Sequence, residues 1–312
     1  MGYIMEIIDS HIHVGDIYSG RPILSPLSKI PRGLLSVLEG LGYRNPMQLL
    51  RGKATLPGPA ELPGAEGLGR LLGDIGYMEV CRRVQAGTPE NALRLLGRAG
   101  IGRAVLLPVE PMTSSEDALR LAAENDAFIP FASADFSRAS APGRVAALAA
   151  AGAKGLKLHP VFQEIRPDDP RVFEVLEEFA STGLPVCFHA GPARKGFVAS
   201  AVENYAHPLL LEKAVAAFPQ IPFIFAHMAL EFAPLAVELA ERHKNLHLET
   251  SIQPAKSIAR ALAALGPERM VYGSDWPLGS PQTTLKNIRT ACPNLADRAR
   301  ILAGNIKRLC RL

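Results

Sequence analysis

The chain has 312 residues, 48% of them hydrophobic, enough for one large core and within the size over which an α/β barrel forms a single domain. Its 34 basic and 30 acidic residues leave a formal charge of +4, too slight an excess for the electrostatic footprint of a nucleic-acid binder. The four cysteines (Cys81, Cys187, Cys292, Cys310) stand far apart without a CxxC pair, which argues against a disulfide framework or a sulfur-ligated zinc site and for a reducing compartment.

The opening run, YIMEIIDSH, reads as a first strand. It has no basic segment before it and carries Glu6 and Asp9 within its apolar stretch, unlike a signal peptide. Position 6 is also not the Ser or Thr that myristoylation wants. No apolar run approaches the roughly 20 residues of a membrane span. The expectation is a soluble, cytoplasmic protein with a small-molecule substrate and neither membrane nor nucleic-acid partner. A homo-oligomer is compatible with the sequence, which does not set a subunit number.

Between His13 and Thr88 the rhythm breaks. One βα connection needs a few tens of residues, yet this stretch is far longer, rich in Pro and Gly, and holds short helical pieces such as PRGLLSVLEGLG and LGRLLGDIGYMEVCRRV. Leaving from the end of the first strand, the insertion at 16–87 is expected to be helical and to form a lid or rim at the barrel mouth.

From residue 88 one unit recurs: an amphipathic helix, a Gly or Pro break, a short apolar run and a polar loop. TPENALRLLGRAG leads into RAVLLPVEP, SEDALRLAAENDA into FIPFASAD, and PGRVAALAAAGA into KGLKLHP. DPRVFEVLEEFASTG leads into LPVCFHAG, HPLLLEKAVAAFPQI into PFIFAHMA, FAPLAVELAERHK into NLHLETS, and PAKSIARALAALGPE into RMVYGSDWP. With the first run these make eight strands, nearly continuous in hydrophobicity as strands buried on both faces are. Eight strands alternating with helices predict a single α/β domain over 1–312, a (β/α)8 TIM barrel. A doubly wound open sheet would want a Gly-rich phosphate turn after the first strand, and none is there. The last helix carries Arg298, Arg300, Lys307, Arg308 and Arg311, read as a solvated face.

Five of the eight histidines (His11, His13, His159, His189, His227) fall at or just after predicted strand ends, which a barrel gathers on one rim. A single His there is more often a hydrogen-bonded core residue; five together favour ligation. The two-residue period of a strand turns His11 and His13 to the same side. With His189 on the fifth strand and Asp275 on the eighth, adjacent to the first once the barrel closes, they make a site for one divalent ion, zinc or a similar borderline metal. The competing reading of Asp275 is a helix N-cap. An ion lowers the pKa of water towards about 7, and Asp275 is placed to accept that proton. His227 suits a proton shuttle or a second metal's ligand. Lys157 and His159 share a strand face, so a lysine at that depth needs pairing, neutralisation or a metal; Glu249 is one partner to consider, its facing being open. Arg194 and Lys195, after the fifth strand, are cations for a substrate carboxylate or simply solvated.

On DSHIHVG (9–15), GLKLHP (155–160), VCFHAG (186–191), FIFAHMA (223–229), YGSDWP (272–277) and the closing LAGNIKRL, the chain resembles the amidohydrolase superfamily over almost its whole length. Its layout looks most like the branch of amidohydrolase-related decarboxylases and hydrolases. The resemblance implies metal ligands at His11, His13, His189 and Asp275, with His227 as base or electrophile. Lys157 stands where binuclear members such as urease and dihydroorotase carry a carboxylated lysine, though single-metal relatives also have lysine there; one ion is favoured over two. TatD-like nucleases place a glutamate at this point, and the chain departs from them. The leading expectation is hydrolysis of a small amide, lactone or ester. Non-oxidative decarboxylation of an unsaturated or aromatic acid comes second, and a non-catalytic binding barrel third.

Overall fold

The computed structural model describes residues 5–17, 83–84, 86–192 and 202–312. The expected insertion at 16–87 lies almost wholly outside these residues, as do Arg194 and Lys195.

Among the described residues nine short strands alternate with helices: β1 (Ile8–Ile12), α1 (Pro89–Ala99), β2 (Arg103–Leu106), α2 (Ser115–Glu124), β3 (Phe128–Pro130) and β4 (Ala132–Ser133). Then follow α3 (Ala141–Ala150), β5 (Leu156–Leu158), α4 (Pro170–Ala180), β6 (Val186–Phe188), α5 (Pro208–Ala217), β7 (Phe223–Phe225), α6 (Ala233–Arg242), β8 (Leu246–Glu249), α7 (Ala255–Leu265) and β9 (Met270–Val271). The chain closes with α8 (Pro281–Ala291), α9 (Leu295–Ala299) and α10 (Asn305–Cys310). Polar caps start the helices where the sequence places them: Thr88, Ser114, Asp169 and Ser280 each accept a hydrogen bond from a first-turn N–H.

All strand pairs are parallel, in a three-stranded sheet β1-β2-β3 and a six-stranded sheet β4 to β9 in sequence order. The run expected as one third strand is thus two, β3 and β4, hinged at Phe131. Phe131 N donates to Leu106 O (3.1 Å) and Ala132 N to Gly155 O (2.8 Å), so the strand leaves one neighbour as it joins the next. At the other seam Ser10 N donates to Tyr272 O (2.9 Å), Asp275 N to His11 O (2.8 Å) and His13 N to Trp276 O (2.7 Å), and Ile12 pairs with Trp276. These bonds join the last strand's extension to the first, giving the (β/α)8 TIM barrel.

Alternation sets two layers. Leu156 and Leu158, Val186 and Phe188, Phe223 and Phe225, and Leu246 and Leu248 pack outward with the helix residues Val175, Phe179, Leu211, Leu239 and Ile258. Cys187, Ile224 and Val271 lie on the inner side with Ile8, Val105 and Ile129, joined by Ile306, Leu309 and Cys310 of α10. The final helix touches segments that precede strands: Lys307 Nζ to Glu6 (2.8 Å), Asn305 Nδ2 to Pro267 O (2.7 Å) and Arg311 to Thr182 O (3.0 Å). It therefore plugs the N-terminal end of the barrel and leaves the C-terminal end to the histidines. Of the basic residues read as a solvated face, Lys307 pairs with Glu6 and Arg308 donates to Glu268 O (3.3 Å). No helix among the described residues is long and apolar enough to cross a membrane.

Candidate metal centre

β1 ends in the pair the alternation predicts. His11 is fully buried and His13 is 3% exposed, and a register irregularity between Asp9 and Ile12 lies within the strand. Each ring has one nitrogen already committed. His13 Nδ1 lies 2.8 Å from Leu107 O, and His11 Nδ1 lies 2.9 Å from Glu249 Oε2, so both rings carry their proton on Nδ1. The two Nε2 lone pairs then face each other at 3.1 Å, with Asp275 Oδ1 3.3 Å from one and 3.5 Å from the other.

Three acceptors converging without a proton among them repel, and a cation at their centre removes the repulsion. A ring N–H given to a carboxylate or backbone carbonyl is also how metal-ligating histidines are oriented. The donor set thus fits a divalent ion of borderline softness. Burial reinforces it by holding the His11, His159 and His189 rings well below the ordinary imidazole range, with the Lys157 charge next for His11 and His189, and the neighbouring His189 for His159.

Asp275 follows Gly273 and Ser274 in a left-handed conformation (φ 59°). It does not cap α8; Ser280 does, accepting from Thr283 N. His227 follows β7, and ligating atoms of His11, His227 and Asp275 all lie within 4.8 Å of one another. Its Nδ1 is 2.6 Å from Ser251 Oγ and 3.9 Å from Asp275 Oδ2. His189 is brought to the cluster through its ring, 5.2 Å from His227 between centroids, and it stacks on His159 at 4.0 Å.

Glu249 faces inward, which sequence parity alone leaves open. It is 1% exposed and accepts from His11 Nδ1, from His227 N (3.0 Å) and from the Ser251 hydroxyl (2.8 Å). Burial pushes its carboxyl up to about 8, a direction that a nearby divalent cation would reverse. Its partner is therefore His11 and not Lys157. Lys157 is fully buried, and its Nζ donates to Cys187 Sγ at 3.9 Å, a thiol that burial raises to about 11. His159 Nδ1 accepts from Phe162 N (3.2 Å), which leaves the proton on Nε2 and its ring between Phe162 and His189.

Sequence reasoning missed Asp9, Ser251 and Gln253. Asp9 Oδ1 accepts from His11 N (3.1 Å) and Ser274 N (2.9 Å), tying both ends of the seam, and burial pushes its carboxyl up to about 7. The signal was present in part, since Asp9 is an acid inside an apolar strand two residues before His11. Ser251 and Gln253 are short-range neighbours of Glu249 and carried no such mark.

A barrel with convergent imidazoles and a carboxylate on its C-terminal rim defines a metal-dependent enzyme class. The amidohydrolase family model matches residues 8–312, and the chain belongs to that family. No curated protein matches it. Among solved structures it is similar to 5-carboxyvanillate decarboxylase from Sphingomonas paucimobilis, at 17% identity and TM-score 0.63, covering 99% of each chain. It is also similar to a probable 2-pyrone-4,6-dicarboxylic acid hydrolase from Acinetobacter baumannii, at 14% identity and TM-score 0.58, covering 99% of this chain and 100% of that one. A third is a dihydroxybenzoic acid decarboxylase from Polaromonas with bound manganese, at 14% identity and TM-score 0.64, covering 98% and 97%. Such likenesses carry the fold, and these neighbours are two decarboxylases and a probable hydrolase.

Proposed function

We propose that the protein is a metal-dependent hydrolase of a small amide, lactone or ester, with one ion, zinc in the first instance, held by His11, His13, His189 and Asp275. The observation that carries this is the pair of Nε2 acceptors 3.1 Å apart with Asp275 Oδ1 beside both. When bound there, a divalent ion supplies Lewis-acid polarisation and makes water acidic enough to ionise near neutral pH. Asp275 turns Oδ1 to the two imidazoles, and its Oδ2, 3.9 Å from His227 Nδ1, is left to take a proton from water and return it to the leaving group. His227 polarises the scissile carbonyl or passes that proton on. Glu249 keeps His11 in the tautomer that presents Nε2.

Hydrolysis leads because a decarboxylase needs fixed cations for its substrate acid. Lys157 is the only buried Lys or Arg among the described residues, and its ammonium is turned to Cys187. The second reading, decarboxylation of an unsaturated or aromatic acid, rests on that same lysine, which makes no ion pair with an acid among the described residues. The test loads the protein with zinc or manganese and screens lactones, amides and esters beside unsaturated and aromatic acids, following acid release and carbon dioxide separately. Hydrolysis predicts metal-dependent acid release; carbon dioxide without hydrolytic turnover reverses the order. If Lys157 acts as the substrate's cation, Lys157→Met raises KM for acids far more than for neutral esters.

A further inference from the structure

We propose that Gln253 is a positioning residue for His227: its side-chain amide fastens a left-handed turn, residues 227–230, that sets the His227 ring in the cluster. After β7 the backbone takes positive φ at four successive residues with side chains, His227 (58°), Met228 (47°), Ala229 (59°) and Leu230 (58°). L-residues visit this region singly, and mostly as Gly, Asn or Asp, so a run of His, Met, Ala and Leu persists only where its surroundings over-determine it.

Those surroundings are specific. Gln253 is 2% exposed, and its Nε2 donates to His227 O at 2.6 Å and to Leu230 O at 3.1 Å, one bond at each end of the turn. No hydrophobic or acidic side chain supplies two N–H donors from one atom. Gln253 is itself held, its backbone N bonding Thr250 O (3.3 Å) and its backbone O accepting from Asn287 Nδ2 of α8 (3.0 Å). Gly191 also stands against the turn, where a Cβ would lie 2.8 Å from both Ala229 O and Leu230 Cγ, so the turn packs against bare backbone there. At the near end Glu249 accepts the His227 N–H (3.0 Å) and Ser251 Oγ lies 2.6 Å from the ring's Nδ1. Leu230 O also accepts from Ala233 N, so removing the amide leaves the far end tied only to the helix that follows, free to relax towards right-handed φ and to swing the imidazole away from Asp275.

The inference rests on the proposed centre only for the place it gives His227, and its test needs neither substrate nor metal. Protein labelled with 15N in histidine is compared as wild type, Gln253→Leu and Gln253→Leu with Ala229→Gly, all metal-free. In Gln253→Leu the ring resonances of His227 shift or broaden while those of His11 and His13 stay in place, and amide exchange at 227–230 quickens at least tenfold. Ala229→Gly, which makes the left-handed conformation cheap, brings the His227 signals back towards wild type. Unchanged His227 signals, or equal displacement of all the site histidines, overturn the proposal. Should Gln253→Leu not fold alone, recovery of folding and His227 signals in the double variant supports it, and failure to recover overturns it. A wild type that binds no zinc would sink the metal reading and leave the ring result standing.

Discussion

Two imidazoles make one site only when each has its second nitrogen occupied. Leu107 O and Glu249 do that for His13 and His11, and among the described residues no donor lies between the lone pairs that remain. His227, whose Nδ1 likewise has a partner, a serine hydroxyl at 2.6 Å, is proposed as a proton carrier and not as one of the ion's ligands. His227→Asn is therefore expected to lower kcat by roughly 10²- to 10⁴-fold while metal content, read by elemental analysis, stays near wild type; loss of the metal would make it a ligand. Gly273 marks how closely the parts fit. A Cβ there would fall 2.5 Å from Glu249 Oε1 and 2.8 Å from His11 Cβ. Gly273→Ala should push Glu249 off His11 and weaken zinc binding about 10- to 100-fold in a competition titration. Unchanged affinity would remove Glu249 as the anchor of His11.

At the scale of elements, the strands present the site and the helices hold them in register. Asp168, just before α4, pairs with Arg166 (2.8 Å) and with Lys213 of α5 (2.7 Å). The Arg166 hydrogen bonds, then those of Lys213, hold its carboxyl well below the usual range. A depressed folded value means stability that is present above the unfolded pKa of about 3.9 and lost as the pH falls through the folded one. Asp168→Asn should thus cost about 1 kcal/mol in urea unfolding at pH 7, the size of a well-formed but solvent-touched pair. The difference from wild type should shrink below about pH 4, and a constant deficit would mean that packing is responsible. The turn at 227–230 behaves oppositely, since at a typical 1 to 2 kcal/mol per left-handed residue it stores strain that the neighbouring loops must offset.

The whole molecule brings residues 11 and 275 together by closing a ring. The seam bonds Ser10 to Tyr272 and Asp275 to His11 are backbone bonds, so the closure forms without metal, and the ion adds its binding energy to a barrel already built. Zinc at about 100 times its Kd should stabilise the protein by about 2.7 kcal/mol, raising Tm by roughly 5 °C, and a chelator should return it to the apo value. No change in Tm with zinc would argue against a site in the folded barrel.

The period of helix and apolar run was enough to read the eight βα units, because that pattern is local and each unit buries both faces of its strand. The H-x-H pair and the strand-end histidines were legible for the same reason: a strand's two-residue period fixes which neighbours share a side. What local pattern leaves open is everything that depends on one strand's rotation against another. Glu249 was one partner to consider for Lys157 until the sheet turned Leu246 and Leu248 outward and Glu249 onto His11, leaving Lys157 against Cys187. The break at Phe131, the left-handed run at His227 and the reach of Gln253 across to it come likewise from residues distant in sequence. Their energies exist only once the ring is closed, so propensity and spacing carry no trace of them.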